Sequence, residues 1–243
     1  TCSPGEDETQ MYEDYVRDHR VDGFILTRTR RVDQRIDMLR AIDFPFVAFG
    51  RVEGELNFPF VDEDGRHGMR LIVNHLHRLG HRRIACITSP LELNFTGHRL
   101  EGLDAAIQEN GLDLPPECQL IGDLTQRSGY ECAQQLLAGP HSPTAIVVFN
   151  DLMAVGAISA AQELGLTVGK DISITGFDDL PMAEHTHPPL TTIRQPIYQI
   201  GGMVCEMLVK LIRVEPLAQA QIVLQPVLVQ RQSCGPPGNA HYT

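Results

Sequence analysis

The chain has 243 residues, 42% of them hydrophobic, with 20 basic against 31 acidic side chains and a formal charge of -11. Such a length buries a large core, in one large domain or in two lobes of roughly 100 to 150 residues, with two lobes favoured. The acidic balance repels phosphate backbones and argues against nucleic-acid binding by these residues themselves, and no apolar run reaches the roughly 18 to 20 residues needed to cross a bilayer.

The opening TCSPGEDETQ is polar and acidic where a secretory signal is basic and then apolar, so the chain is expected in the cytoplasm. Cys2, Cys86, Cys118, Cys132, Cys205 and Cys234 lie far apart, with no CxxC or ligand-like spacing. They read as reduced, structural thiols.

Strand-like and helix-like patterns then alternate. Residues 23–26 (GFIL) and 46–49 (FVAF) are short apolar runs of the kind covered on both faces of a parallel sheet. From Asp64, the apolar Met69, Ile72, Val73, Leu76 and Leu79 recur at helical spacing, and Gly80 supplies a stop that tolerates a left-handed backbone. A strand at 84–88 (IACIT) follows, then a helix carrying Leu100, Leu103 and Ile107 that ends at Gly111. Tyr130, Ala133, Leu136 and Leu137 mark a helix ending at Gly139 and Pro140.

A fourth strand, 145–149 (AIVVF), leads into a helix with Ala154, Ala157, Ile158, Ala161 and Leu164 that stops at Gly165, and 172–175 (ISIT) is the next strand. Strand and helix in repeated alternation mean a parallel, doubly wound α/β sheet. Pro188 and Pro189 then force an extended connection before a strand at 191–193 and a long amphipathic helix with Ile197, Ile200, Val204, Met207, Leu208 and Leu211. Residues 222–229 read as a final strand pair broken by Pro226, and GPPGNAHYT as a loose tail. There is no internal repeat.

In an open parallel sheet the carboxyl ends of the strands face the ligand crevice, which puts Asn150, Asp151, Asp178 and Asp179 at the usual binding position. Asp151 precedes LMAVGAI as a helix N-cap should, leaving Asn150 to face a ligand. Asp178 is read as a ligand contact or a turn-forming aspartate. Arg51 closes the strand FPFVAFGR and is a further candidate. Arg99 falls in the first turn of a helix starting near Gly97, where its charge opposes the macrodipole and calls for compensation. Phe95, Phe149 and Phe177 flank these positions as stacking platforms or as ordinary core; the chain has no tryptophan.

Catalysis finds little support. There is no GxSxG elbow, and His185, His187 and Glu184 lack a third ligand at metal-binding spacing. His67, His75, His77 and His81 read as a helix surface and its end. No catalytic residue, metal or cofactor is expected.

Six segments together resemble the effector-binding core of LacI/GalR-type transcription regulators: HRVDGFIL, FPFVAFGR, FVDEDGRHGMRLIVNHLHRLGHRRIACI, HRLEGLDAAIQENGL, FNDLMAVGAISAAQELGLTVGKDISITGFDD and PPLTTIRQPIYQIG. The resemblance covers nearly all of residues 21–233. It implies two similar lobes of the type I periplasmic-binding-protein kind, each with a parallel doubly wound sheet, and a small effector, most simply a sugar, held between them. The lobes map to 1–82 plus 191–217 and to 83–190 plus 218–234, with crossings near His81, Pro189 and Ala218 and a loose 235–243.

The same resemblance implies that the arginine of the RxxG pattern, Arg99, donates its fork of hydrogen bonds to effector oxygens, and that Asp178 accepts from effector hydroxyl or amine groups. Family members begin with a basic helix-turn-helix, a hinge helix and a first strand and helix, whereas TCSPGEDETQ resembles the loop after the second strand. Operator DNA is therefore expected to be bound through a head that these residues lack. A homodimer is implied along residues 33–42, the helix at 64–79 and the matching second-lobe surface. The alternatives are a sugar-binding protein feeding a transporter and a metabolic enzyme on the same sheet.

Overall fold

A computed structural model describes residues 8–54, 57–139 and 143–238. Cys2, the opening residues 1–7, Pro140 and the last tail residues 239–243 lie outside them. In chain order the elements are α1 (Glu8–Arg17), β1 (Phe24–Leu26), α2 (Gln34–Ala41), β2 (Phe46–Phe49), β3 (Phe60–Glu63), α3 (Gly65–Leu79), β4 (Ile84–Thr88), α4 (Asn94–Asn110) and β5 (Gln119–Ile121). There follow α5 (Gln126–Ala138), β6 (Ala145–Val148), α6 (Asp151–Glu163), β7 (Ser173–Asp178), β8 (Thr191–Arg194), α7 (Ile197–Ile212), β9 (Gln221–Leu224) and β10 (Val227–Val229).

They form two compact units. The first comprises Thr1–Glu63, Glu92–Phe95 and Pro196–Leu224, around a four-stranded parallel sheet in the order β1-β2-β3-β9. One face is covered by α7, whose Ile200, Val204 and Met207 pack against Val47 and Val61. The other buries Leu26, Ile36, Leu39, Phe46, Phe58 and Phe60 in a separate cluster. A doubly wound sheet needs both, because strands buried on two faces must shed water on each.

The second unit comprises Asp64–Leu91, Thr96–Gln195 and Gln225–Thr243. Its six-stranded sheet runs β10-β8-β7-β6-β4-β5, parallel except for β10, which lies antiparallel to β8. All residues of β4 and β6 are buried, as the unbroken apolar runs IACIT and AIVV require. On one side α5 and α6 press together so closely that a Cβ at Gly156 would stand 1.9 Å from the Gln126 carbonyl oxygen. Only glycine allows that backbone approach.

The α/β class and the two parallel sheets match the sequence reading; several details do not. Residues 8–10, read as loop, open α1, and the short β3 and β5 had no clear apolar signature. The strand pair at 222–229 is divided between the sheets: β9 pairs in parallel with β3, β10 antiparallel with β8. Pro226, which has no N–H to donate, stands where the chain changes sheets.

The lobe boundaries shift accordingly. The helix at 64–79 clusters with the second unit instead of the first, because Met69, Ile72, Val73 and Leu76 share its core. Residues 191–195 go with the second unit through β8, and 218–224 with the first through β9. The crossings expected near His81, Pro189 and Ala218 thus fall after Glu63, Gln195 and Leu224, and the short segment Glu92–Phe95 clusters with the first unit as well.

The start of the tail is anchored, contrary to expectation. Buried Gly235 donates its N–H to Ser173 Oγ at 3.1 Å and sets its carbonyl 2.9 Å from His81 Nε2. His81 does stand just past the end of α3, but it is buried there: it is 1% exposed, with Nδ1 2.9 Å from Thr144 Oγ1 and Nε2 3.0 Å from Ser173 Oγ. His75 is buried too. Cys86, Cys118, Cys132, Cys205 and Cys234 are free thiols, with Cys205 exposed. Among the described residues no helix is long and apolar enough to cross a membrane.

Candidate functional site

Adjacent parallel strands β6 and β7 end side by side in the second unit, delivering Phe149-Asn150-Asp151 and Phe177-Asp178-Asp179 to the same edge. The helix α4 brings a third contribution. It starts at Asn94, three residues before the expected Gly97, so Arg99 falls in its second turn, where the macrodipole penalty has largely faded.

Arg99 is buried at 3% exposure and stands at the centre. Its Nη1 donates to the Phe149 carbonyl at 2.6 Å, its Nη2 lies 3.7 Å from Asp178 Oδ1, and its guanidinium carbon sits 3.5 Å from the centroid of the Phe177 ring. A guanidinium retains charge under nearly any burial, and the ring face and the carboxylate supply the stabilisation that lost water would have given. Arg99 and Asp178 are therefore brought together, Asp178 as its strand end implies and Arg99 as the resemblance implies.

The aromatic platforms are redefined. Phe149 and Phe177 are fully buried members of the core, and the Phe177 ring carries Arg99 instead of a ligand. Gly68 on α3 makes room for that ring, since a Cβ there would stand 2.8 Å from Phe177 Cε2. Phe95, half-buried, is the second residue of α4 and clusters with the first unit.

The cap expected of Asp151 is made by Asn150, and Asp151 takes a buried role that the sequence reading did not assign. Asn150 is the N-cap of α6: its Oδ1 accepts from Met153 N–H at 2.9 Å and its Nδ2 donates to the Leu124 carbonyl at 3.1 Å. Its extended φ of -152° suits a cap, and both ends of the amide are engaged in holding loops. Asp151, one residue on, points inward and is fully buried. It accepts from Thr192 Oγ1–H at 2.6 Å and from Leu180 N–H at 2.7 Å. Burial above all, then the neighbouring charges of Asp178 and Asp179, push its carboxyl up to about 7.

Asp178 and Asp179 both have positive φ, 117° and 55°. An aspartate at the first of these values is strained, and such strain persists only where surrounding contacts hold it. Those contacts are visible. Asp178 Oδ1 accepts from Gln195 Nε2 at 2.6 Å, while Asp179 is clasped by Arg194 at 2.6 Å and Arg231 at 2.7 Å. The side chain of Asp179 is buried, but that of Asp178 keeps 28% exposure and is the more accessible carboxylate of the two.

Arg51 lies at the corresponding carboxyl end of the first unit's sheet. Its Nε donates to Asp62 Oδ2 at 2.7 Å and its carbonyl accepts from Thr29 Oγ1 at 2.6 Å. Sequence reasoning missed Asp62, Thr192, Gln195 and Arg231, which orient the candidates. The acid inside the apolar FVDE was the one legible signal; the others follow from strand pairing alone.

Comparison with known proteins shows the family to which this fold belongs. A family described as Periplasmic binding protein-like domain matches residues 73–234. The ribose operon repressor of Escherichia coli (strain K12) is 34% identical over 236 residues, 96% of this chain and 71% of that protein. A regulatory protein of LacI family from Chloroflexus aggregans is 40% identical with a TM-score of 0.86, covering 96% of this chain and 84% of that one. The transcriptional regulator CelR–cellobiose complex is 31% identical with a TM-score of 0.87, covering 93% and 70%.

Proposed function

The chain belongs to the periplasmic-binding-protein-like family as the effector-binding core of a LacI-type transcriptional regulator, and from that premise we propose that it grips a neutral sugar through Arg99 and Asp178. The observation that carries this reading is the pairing of a buried, aromatic-backed guanidinium with a partly open carboxylate at one strand edge. A fork of N–H donors beside an acceptor matches the alternating hydroxyls of a sugar. CelR in complex with cellobiose and the name of the ribose operon repressor give the ligand class its support.

Asn150 contributes by shaping the loops around the grip, and Arg51 and Phe95 carry no part of this proposal. Nothing in the cluster resembles a nucleophile with an adjacent base, and the relatives are repressors; we read the chain as a binder in the cytoplasm, not an enzyme. The formal charge of -11 has the wrong sign for operator phosphates, so DNA contact is assigned to a helix-turn-helix outside these 243 residues, controlled by effector through its differential affinity for two states. A homodimer completes the reading; sedimentation as a monomer at micromolar concentration contradicts it.

The experiment is a thermal-shift screen of D-ribose, cellobiose, sugar phosphates, nucleosides and purines. A ligand at about 100 times its Kd stabilises the native state by about 2.7 kcal/mol. A neutral sugar raising Tm, with no product formed, is the expected outcome; a response confined to phosphorylated or purine ligands rejects the sugar assignment.

A further inference from the structure

Asp151 occupies a position that the grip itself does not explain. It ties three segments together: the first residue of α6, the turn after β7 through Leu180 N–H, and β8 through the Thr192 hydroxyl. The turn it holds is the strained Asp178–Asp179 pair. The fold has also been opened to admit it, since a Cβ at Gly176 would stand 2.2 Å from Asp151 Oδ1.

Its electrostatic surroundings are one-sided. The turn after β7 presents Asp178 and Asp179 to it, whereas the cations of the neighbourhood are engaged with other groups. Arg99 from α4 serves Asp178 and the Phe149 carbonyl; Arg194 from β8 and Arg231 after β10 both serve Asp179. Thr192 on β8 and Asn150 at the end of β6 are uncharged, and Glu184 beyond the turn is exposed and pairs with His185. Among the described residues no cation pairs with Asp151. The N-terminus of α6 is the one favourable field, and it is a partial charge.

We propose that Asp151 is a positioning residue for the ligand-facing Asp178–Asp179 turn, and that it takes up a proton from solvent when a neutral polyol closes over Asp178. The proposal rests on the reading of Asp178 as the effector acceptor. Both protonation states fit the same tethers. The carboxylate accepts from Thr192 and Leu180; the acid keeps the Leu180 bond and donates its new O–H to Thr192 Oγ1, whose hydroxyl can turn from donor to acceptor.

The sign follows from solvation. A neutral ligand strips water from Asp178, so the Asp178 charge reaches Asp151 through a poorer dielectric and disfavours a second negative charge beside it. A cationic ligand does the opposite and expels a proton. Because the carboxyl of Asp151 already sits near neutrality, at about 7, either change alters its occupancy under ordinary conditions. The direction of proton exchange therefore reports the chemical class of the effector.

The test titrates the protein with D-ribose and with cellobiose by calorimetry at about pH 7, in buffers of different ionisation enthalpy, for the native chain, Asp151→Asn and Asp151→Ala. Asparagine reproduces the hydrogen bonds of the protonated acid. The expected result is buffer-dependent heat with net proton uptake in the native chain, buffer-independent heat and retained affinity in Asp151→Asn, and affinity lowered about tenfold in Asp151→Ala as the turn loses its tethers. Buffer-independent native heat, proton release, or equal uptake in Asp151→Asn overturns the proposal. If neither sugar binds, the sugar assignment fails separately and ligand-free melts decide: Asp151→Asn should gain Tm relative to the native chain as pH rises from about 5 to about 8. A pH-independent difference rejects the proton-carrying role.

Discussion

Arg99 and Phe177 form a stacked pair at the carboxyl edge of the larger sheet, the guanidinium carbon 3.5 Å from the ring centroid. The ring fixes the plane of the fork and so the direction of its donors. Arg99→Lys keeps the charge and loses the fork, and is expected to weaken sugar binding by about 10- to 100-fold, equivalent to about 1.4 to 2.8 kcal/mol. Calorimetric titration of both proteins checks it, with native-like melting of the variant as the control.

The same pair can be disturbed from behind. Gly68→Ala places a methyl group 2.8 Å from the unmodified position of the Phe177 ring edge, in a core with no slack. The ring must shift, carrying Arg99 with it. A cost of about 1 to 3 kcal/mol in urea unfolding is expected, together with weaker ligand binding although residue 68 touches no ligand. Unchanged affinity would show that the platform tolerates displacement.

Asp179 is buried between Arg194 and Arg231, and losing its charge leaves the half-buried Arg231 without its carboxylate. Asp179→Asn is expected to destabilise by about 3 kcal/mol, the lower end of the range for broken buried pairs, because Arg194 is exposed and can resolvate. Chemical denaturation measures this directly.

His81 contributes to the acid side of the stability profile. Burial lowers its pKa below the ordinary 6.5, so the folded chain holds it neutral while the unfolded chain takes up a proton below that value. Its contribution is complete above pH 6.5 and is lost progressively as pH falls below it. The native chain should exceed His81→Asn by about 2 kcal/mol at neutral pH, with the gap narrowing towards about pH 5. A gap constant over that interval would mean that His81 titrates alike in both states.

The sequence carried the strand and helix alternation because buried parallel strands must be apolar throughout, and β2, β4 and β6 coincide with their apolar runs to within a residue. It carried the meeting of Arg99 and Asp178 through strand-end logic and resemblance. It did not carry the choice of Asn150 over Asp151 as the cap: both are good caps, and the choice depends on Thr192 and Leu180, brought near by β7–β8 pairing. Nor did it reveal the anchoring of Gly235 by His81, a contact spanning 154 residues that leaves no periodic trace. The burial of Phe149 and Phe177 was equally open from sequence, since core and stacking roles favour the same side chain.

The central claim is that Arg99 and Asp178 jointly hold one neutral small molecule. Its most direct measurement is a double-mutant cycle in ligand affinity over the native chain, Arg99→Ala, Asp178→Asn and the double variant, using whichever sugar raises Tm. Each single variant should lose most of the affinity, and the double variant should lose less than the sum, with a coupling of about 1 kcal/mol or more. Full affinity retained by both single variants would contradict the account, because the ligand would then be bound elsewhere.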